Sequence, residues 1–263
     1  MSFDKELRRF QKDLKRGKYR KAAGAGCLAV ALGCGIALGA YYAGSRSAEK
    51  EIDALRELKE ASAQLGDTSD LTVGGKSVMM KYEELFAQNP DMIGWLSIDG
   101  TSVDYPVMWT PEDPDYYSQR GFDKKESKNG LLFMDGSCNM NGYGGNVIIY
   151  GHNMKNGSMF ADLLNYRNES YFQEHPRIQL DTLSETRIYE VCAVLQSADM
   201  DKLPFGFTTA KDEDAEAVIE TARDEALYDT GADMRYGDDF LTLATCDYSE
   251  KDGRLVVMAR RVE

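Results

Sequence analysis

Hydrophobic and polar positions follow three different rhythms along this chain. Residues 22–44 carry no charged side chain, and a helix of that length, rising about 1.5 Å per residue, just reaches across a hydrocarbon core of roughly 30 Å. From residue 93 onward the pattern changes to short runs rich in β-branched and aromatic residues, at 94–98, 103–107, 130–134, 146–150, 177–180, 187–195, 240–245 and 254–258, with turn residues between them. Eight such segments predict a mainly β fold closed into a barrel. Helical spacing appears at 76–88, where Val78, Tyr82, Leu85 and Phe86 share a face that ends at Asn89-Pro90. It returns briefly at 158–164 and at greater length over 212–228, where Ala215, Val218, Ile219, Ala222 and Ala226 form a stripe opposite acidic residues. That long helix is expected to cover one flank of the barrel, with its acidic run facing solvent.

Charge divides the chain further. Residues 1–21 hold nine basic and three acidic side chains, so a total of −13 over 263 residues separates into +6 at the N-terminus and −19 over the remainder. A basic cluster before an apolar span keeps its end in the cytoplasm. The sequence therefore predicts a basic cytoplasmic tail (1–21), a transmembrane signal-anchor helix (22–44), an extracellular stalk and linker (45–75) and a catalytic domain (76–263). The stalk contains a helical stretch at 49–65 and the turn-rich Gly66-Asp-Thr-Ser-Asp-Leu-Thr-Val-Gly-Gly75. A cleaved signal peptide would have an apolar region of about 7–15 residues, shorter than this one. Six glycines in the span would weaken a soluble helix but are tolerated in a bilayer. The predicted location is the plasma membrane, single-pass, with the catalytic domain outside. The acidity of that domain argues against nucleic acid as a partner.

Candidate chemistry narrows by elimination. Neither of the two histidines has a second His or a Cys at ligand spacing, and no CxxC or HExxH occurs, so no metal is expected. Phosphate-loop and dinucleotide fingerprints are missing, because Gly142-Tyr-Gly-Gly145 precedes a strand and reads as a turn, and no serine nucleophile elbow is found. Thiol chemistry remains. Cys27 and Cys34 fall in the span, Cys192 lies within an apolar strand and reads as core, and Cys138 lies in a Gly/Asn-rich loop. Cys138 and Cys192 are expected as free thiols. Cys246 follows Leu241-Thr-Leu-Ala-Thr245 at a strand end and opens a polar loop, 247–253, that returns into a strand at Arg254. Arg254, across this hairpin, is placed to donate hydrogen bonds to an oxyanion. Spacing alone leaves a buried cysteine beside a surface arginine as an equal reading. His152, in Tyr150-Gly-His-Asn-Met154 at another strand end, tips the balance toward an acid–base pair with the thiol. His175, before Pro176, reads as structural.

At these residues the sequence resembles the sortases, the membrane-anchored cysteine transpeptidases of Gram-positive cell surfaces, and specifically class B. Thr242-Leu-Ala-Thr-Cys246 matches the family's TLxTC signature, with His152 and Arg254 matching its histidine and arginine. Trp95-Leu-Ser-Ile-Asp-Gly-Thr101, Tyr150-Gly-His-Asn-Met-Lys-Asn-Gly-Ser-Met-Phe160 and His175-Pro176 extend the likeness over roughly residues 82–262. The helix before the barrel, the long helix before the last two strands and the absence of a second span after the barrel indicate class B. The resemblance implies an eight-stranded sortase-type barrel in which Cys246 cleaves a C-terminal sorting motif, NPxTx-like or related, after its Thr. A thioester then passes the protein to an amino group of peptidoglycan or its precursor, with no cofactor. Its partners would be secreted proteins bearing that motif. Thr245, next to the nucleophile, Tyr150, which either lines the site or completes the barrel, and Ala244 are the candidate substrate-binding residues; Ala244 stands where class B enzymes often have Ser, which removes a side-chain hydrogen bond to substrate, and Pro114 where they often have Asn. Asp247, beside the nucleophile, is expected as a solvated loop carboxylate. A membrane-anchored endopeptidase that only hydrolyses, and a non-enzymatic surface-binding module, are the alternative functions.

Overall fold

A computed structural model describes residues 3–15, 18–64, 71–73, 76–140, 144–209 and 211–263, which fall into two compact units, Met1–Arg46 and Ser47–Glu263. The first unit holds helix α1 (Phe3–Lys15) and the opening part of helix α2 (Lys18–Gln64). Among the described residues no helix is long and apolar enough to cross a membrane. The uncharged run 22–44 lies within α2, and the side chains at 22–25, 37, 40 and 41 lie outside the described residues.

The second unit is built on a closed eight-stranded barrel. Its strands are β3 (Met92–Ser97), β4 (Asp104–Met108), β5 (Leu132–Met134), β6 (Asn146–Tyr150), β7 (Arg177–Thr182), β8 (Thr186–Ser197), β9 (Phe240–Cys246) and β10 (Arg254–Arg261). They follow the order β10-β8-β7-β3-β4-β5-β6-β9, and β9 pairs with β10 to close the ring. The β4–β5 and β6–β9 pairs are parallel and the rest antiparallel. Before the barrel come a small hairpin, β1 (Leu71–Val73) with β2 (Lys76–Val78), and helix α3 (Met80–Gln88). Helix α4 (Glu169–Glu174) precedes β7 and α5 (Ala215–Asp224) precedes β9.

Strands β9 and β10 bury both faces, which explains their nearly continuous apolar runs. Leu241, Leu243, Leu255, Val257 and Ala259 enter the main core, whereas Phe240, Ala244, Val256 and Met258 alternate with them into a second cluster. Ala215, Ile219 and Ala222 of α5 join that second cluster, so the helix covers the expected flank.

Several elements differ from the sequence reading. The expected helix at 212–228 contracts to the ten residues of α5, because Asp212 instead accepts the N–H groups of Thr208 and Thr209 and Leu227 N–H bonds to Val194 on β8. Residues 76–78 form β2 rather than the first turn of a helix. The helix expected at 158–164 is a 3₁₀ segment, Ala161–Arg167, entered after Met159 at a left-handed φ of 58°. Residues 47–64, assigned from sequence to a stalk, pack on the barrel as the latter part of α2: Ile52 and Leu55 are buried in the main core, with Leu58 against it. Arg56 and Lys59 meet Asp104 on β4 at 3.2 and 2.8 Å. Of the turn-rich 66–75, only the strand β1 is described. Residues 142 and 143 of the expected turn before β6 likewise lie outside the described residues.

One buried polar cluster ties α3 to the barrel. Asp181, 4% exposed on β7, accepts from Lys81 (2.8 Å), Tyr82 Oη (2.6 Å), Thr186 Oγ1 (2.7 Å) and Gln179 Nε2 (3.0 Å). Burial alone would raise its carboxyl pKa, but these donors hold it below the ordinary carboxylate value. Its contribution to stability is thus complete above the unfolded-state pKa and fades as pH falls through the lower folded-state value. Asp181→Ala should destabilise the protein by about 3 kcal/mol at neutral pH, read from denaturant midpoints. The deficit should shrink in acid; a deficit that grows in acid would contradict this assignment.

Candidate active site

Strand register assembles the site. In the parallel β6–β9 pair Tyr150 lies opposite Ala244, so two residues further along each chain His152 comes level with Cys246. In the antiparallel β9–β10 pair Arg254 lies directly opposite Cys246, which directs both side chains to the same face. The three expected catalytic residues therefore lie at one end of three adjacent strands.

Short bonds between the chain segments fix this end. Thr245 Oγ1 donates to Gly151 O (2.8 Å), Gly151 N–H to Ala244 O (3.2 Å) and Asn153 Nδ2 to Cys246 O (3.1 Å). A Cβ on Gly151 would collide with Leu132 and the Phe160 ring, so only glycine lets the chain leave β6 this closely packed. Beyond it, Phe160 N–H donates to His152 O (2.9 Å) and closes the histidine loop.

The imidazole is held as well. His152 Nε2 lies 2.7 Å from Ser118 O. A carbonyl only accepts, so Nε2 carries the proton, and in the neutral ring Nδ1 is the basic nitrogen. Ser118 belongs to the 3₁₀ turn Tyr116–Gln119, which is pinned by the fully buried Tyr117, whose hydroxyl donates to Asp91 (2.7 Å) and accepts from Asn89 (2.8 Å).

Cys246 is half-buried beside an open cavity of about 520 Å³ lined by Cys246, Tyr248 and Arg254 among others. Arg254 Nη1 donates to the carbonyls of Asp252 (3.3 Å) and Gly253 (3.0 Å), engaging one nitrogen of its fork. The other barrel thiols are poor nucleophiles. Burial pushes the Cys138 thiol up to about 12 and raises that of Cys192; both are free, with Sγ donating to Asn146 O and to Met258 O.

The expected substrate-binding residues lie next to this site with their side chains occupied. Ala244 is buried in the second cluster, Thr245 is committed to Gly151, and the Tyr150 hydroxyl donates to Asp135 at 3.1 Å. Asp247 departs from the expected solvated loop carboxylate: it is 2% exposed, 2.5 Å from Arg167 Nη2, and accepts from the Ser249 backbone N–H and hydroxyl (both 2.9 Å). Burial would raise its pKa, yet the Ser249 bonds and the Arg167 charge hold it below the ordinary carboxylate value. Asp247 thus stiffens the loop between the thiol and Arg254. His175, its Nδ1 2.8 Å from Asp99 O and its ring against Tyr171, does not join the site. Asn153 and Ser118 were missed from sequence. Asn153 adjoins His152 in the motif, which was a signal, whereas Ser118 acts through its backbone and left none.

The sortase domain family matches residues 96–262. Sortase B of Listeria monocytogenes is 32% identical over 202 residues, covering 74% of this chain and 79% of its own length. The chain belongs to the sortase family. Sortase B of Staphylococcus aureus is 26% identical, over 71% of this chain and 76% of its own. Among solved structures, sortase B from Bacillus anthracis in complex with AAEK1 superposes with a TM-score of 0.73 at 28% identity, over 84% of this chain and 99% of that one. The S. aureus sortase B–substrate complex shares the fold, with a TM-score of 0.72 at 22% identity over 83% of this chain and 98% of that one. This sortase is of class B and is a cysteine transpeptidase.

Proposed function

We propose that this sortase cleaves a C-terminal sorting motif, NPxTx-like or related, after its threonine and transfers the new acyl end to an amino group of peptidoglycan or its precursor. The observation that carries this reading is the strand register that brings Cys246, His152 and Arg254 to one end of β6, β9 and β10. Sγ of Cys246 gives its proton to His152 and attacks the threonine carbonyl carbon. The resulting oxyanion faces donors from Arg254 and nearby backbone N–H groups. The C–N bond breaks as His152 returns the proton to the leaving amine, and a thioester remains on Cys246. The acceptor amine loses a proton to His152, attacks the thioester and releases the free thiol. Each proton removed is restored within the cycle, so the reaction needs no cofactor. Thr245, Tyr150 and Ala244 shape the substrate side of the site through the strand ends and loops that they hold.

The same reading includes a single-pass membrane anchor over 22–44, with the basic tail 1–21 in the cytoplasm and the catalytic domain outside. Supporting it are the uncharged run itself and the exposure of Leu28, Val30, Leu32, Ile36 and Leu38 along α2. The full chain should stay with membranes through an alkaline carbonate wash, whereas release into the supernatant would contradict an inserted span.

Incubating the protein with sorting-motif peptides and a candidate amine should give the amine-linked product by mass spectrometry. Cys246→Ala should abolish cleavage, and Arg254→Ala should lower kcat/KM about 100-fold. If only the hydrolysed acid forms at every amine concentration, the enzyme is a peptidase; undiminished cleavage by Cys246→Ala would remove the mechanism altogether.

A further inference from the structure

Two loops hold the histidine, and both are gripped by the same helix. The first, 116–130, supplies the Ser118 carbonyl that receives His152 Nε2. The second, 151–160, carries His152 itself and closes on it through Phe160 N–H. Along α2, Glu51 Oε1 accepts the backbone N–H of Asp123 at 3.1 Å, and the Glu51 carboxylate packs so tightly on Gly121 that a Cβ there would strike it. One half-turn away, Glu49 Oε1 accepts from Asn156 Nδ2 at 2.6 Å, while Asn156 Oδ1 accepts from Ser158 Oγ at 2.8 Å within the histidine loop. The buried Ile52 and Leu55 fasten this part of the helix to the core, so the two carboxylates project from a fixed support. Burial raises the Glu51 carboxyl pKa above its ordinary value, partly offset by the bond from Asp123; the carboxylate is held at the loop against its own solvation preference.

We propose that Glu49 and Glu51 are positioning residues for His152, clamping the loops 151–160 and 116–130 so that the Ser118 carbonyl keeps the imidazole in its Nε2–H tautomer and leaves Nδ1 to exchange protons. Neither carboxylate touches the reacting atoms; they act through the two loops. The inference rests on the role of His152 proposed above, but its tautomer can be read without turnover. The chain contains two histidines, and they contrast: His175 meets the Asp99 carbonyl through Nδ1, which requires the opposite tautomer, so it serves as an internal reference.

The test uses the full chain, ¹⁵N-labelled at histidine, in detergent at alkaline pH where imidazoles are neutral. Long-range ¹H–¹⁵N spectra of the wild type should show one Nε2–H ring and one Nδ1–H ring, with His175→Gln removing the latter. In Glu49→Ala/Glu51→Ala the His152 pattern should shift toward a tautomer mixture, and kcat for a sorting-motif peptide should fall about tenfold with KM within twofold. Glu49→Gln/Glu51→Gln keeps both acceptor oxygens and should restore the pure pattern and most of kcat. Gly130→Ala approaches from the other side: Gly130 sits at φ 57° with its would-be Cβ against the Ser118 carbonyl, so this variant should disturb the same nitrogen signals. A pure Nε2–H pattern for His152 in the double alanine variant overturns the proposal, as does a glutamine pair no better than the alanine pair. If the tautomer shifts as expected while His152→Ala leaves cleavage intact, the clamp stands and the acid–base role fails.

Discussion

The parallel pairing of β6 with β9 is the constraint on which the site depends. Parallel neighbours run in the same direction, so two strands that end together deliver their following loops to the same edge of the barrel. Here Tyr150 opposite Ala244 brings the chain at 152 out at the same end of the barrel as Cys246. The antiparallel return of β10 brings Arg254 to the same edge. The positions proposed for nucleophile, base and oxyanion donor thus lie at or just beyond strand ends whose spacing is set by backbone hydrogen bonds.

Polar bonds around this edge preserve the register where the ladder stops. Thr245, Gly151 and Asn153 stitch the ends of β6 and β9 together, and Thr242 Oγ1 meets Asn146 Oδ1 (2.7 Å) four residues earlier on the same strand pair. Asp247 and Arg167 hold the loop on the other side of the thiol. Burial separates the thiols: it raises the pKa of the two in the core, whereas Cys246 borders an open cavity. Among the acidic side chains, Glu49, Glu51, Asp104 and the buried Asp181 are each bonded to a particular partner.

The barrel was legible because alternating apolar strands carry a period that survives into three dimensions. All eight expected segments appear; β6 ends at Tyr150 as expected, and β9 runs one residue past the expected end, to Cys246. Cys246, His152 and Arg254 stood out as candidates because each lies at or just beyond a strand end. Helix limits were less legible, since α5 is cut short by tertiary bonds from Asp212 and Leu227 that no local pattern encodes. Residues 47–64 looked polar enough for a stalk, because only Ile52, Leu55 and Leu58 face the barrel while their neighbours are charged. Asp247 was misread for a related reason: a carboxylate in a polar loop looks solvated until its arginine, eighty residues earlier in the chain, is placed beside it. Ser118 was invisible, as its contribution is a carbonyl that every residue possesses.

Covalent catalysis by the Cys246 thiol, with protons passed through His152, is the proposal most open to direct measurement. The most direct measurement is intact-protein mass spectrometry of the full chain mixed with a sorting-motif peptide in the absence of amine, quenched in acid during the first turnovers. The result expected is an adduct equal to the peptide fragment ending at its threonine, located on Cys246 by digestion and removed by hydroxylamine. Peptide cleavage at an undiminished rate with no adduct on Cys246, or an adduct that forms equally in Cys246→Ala, would contradict it.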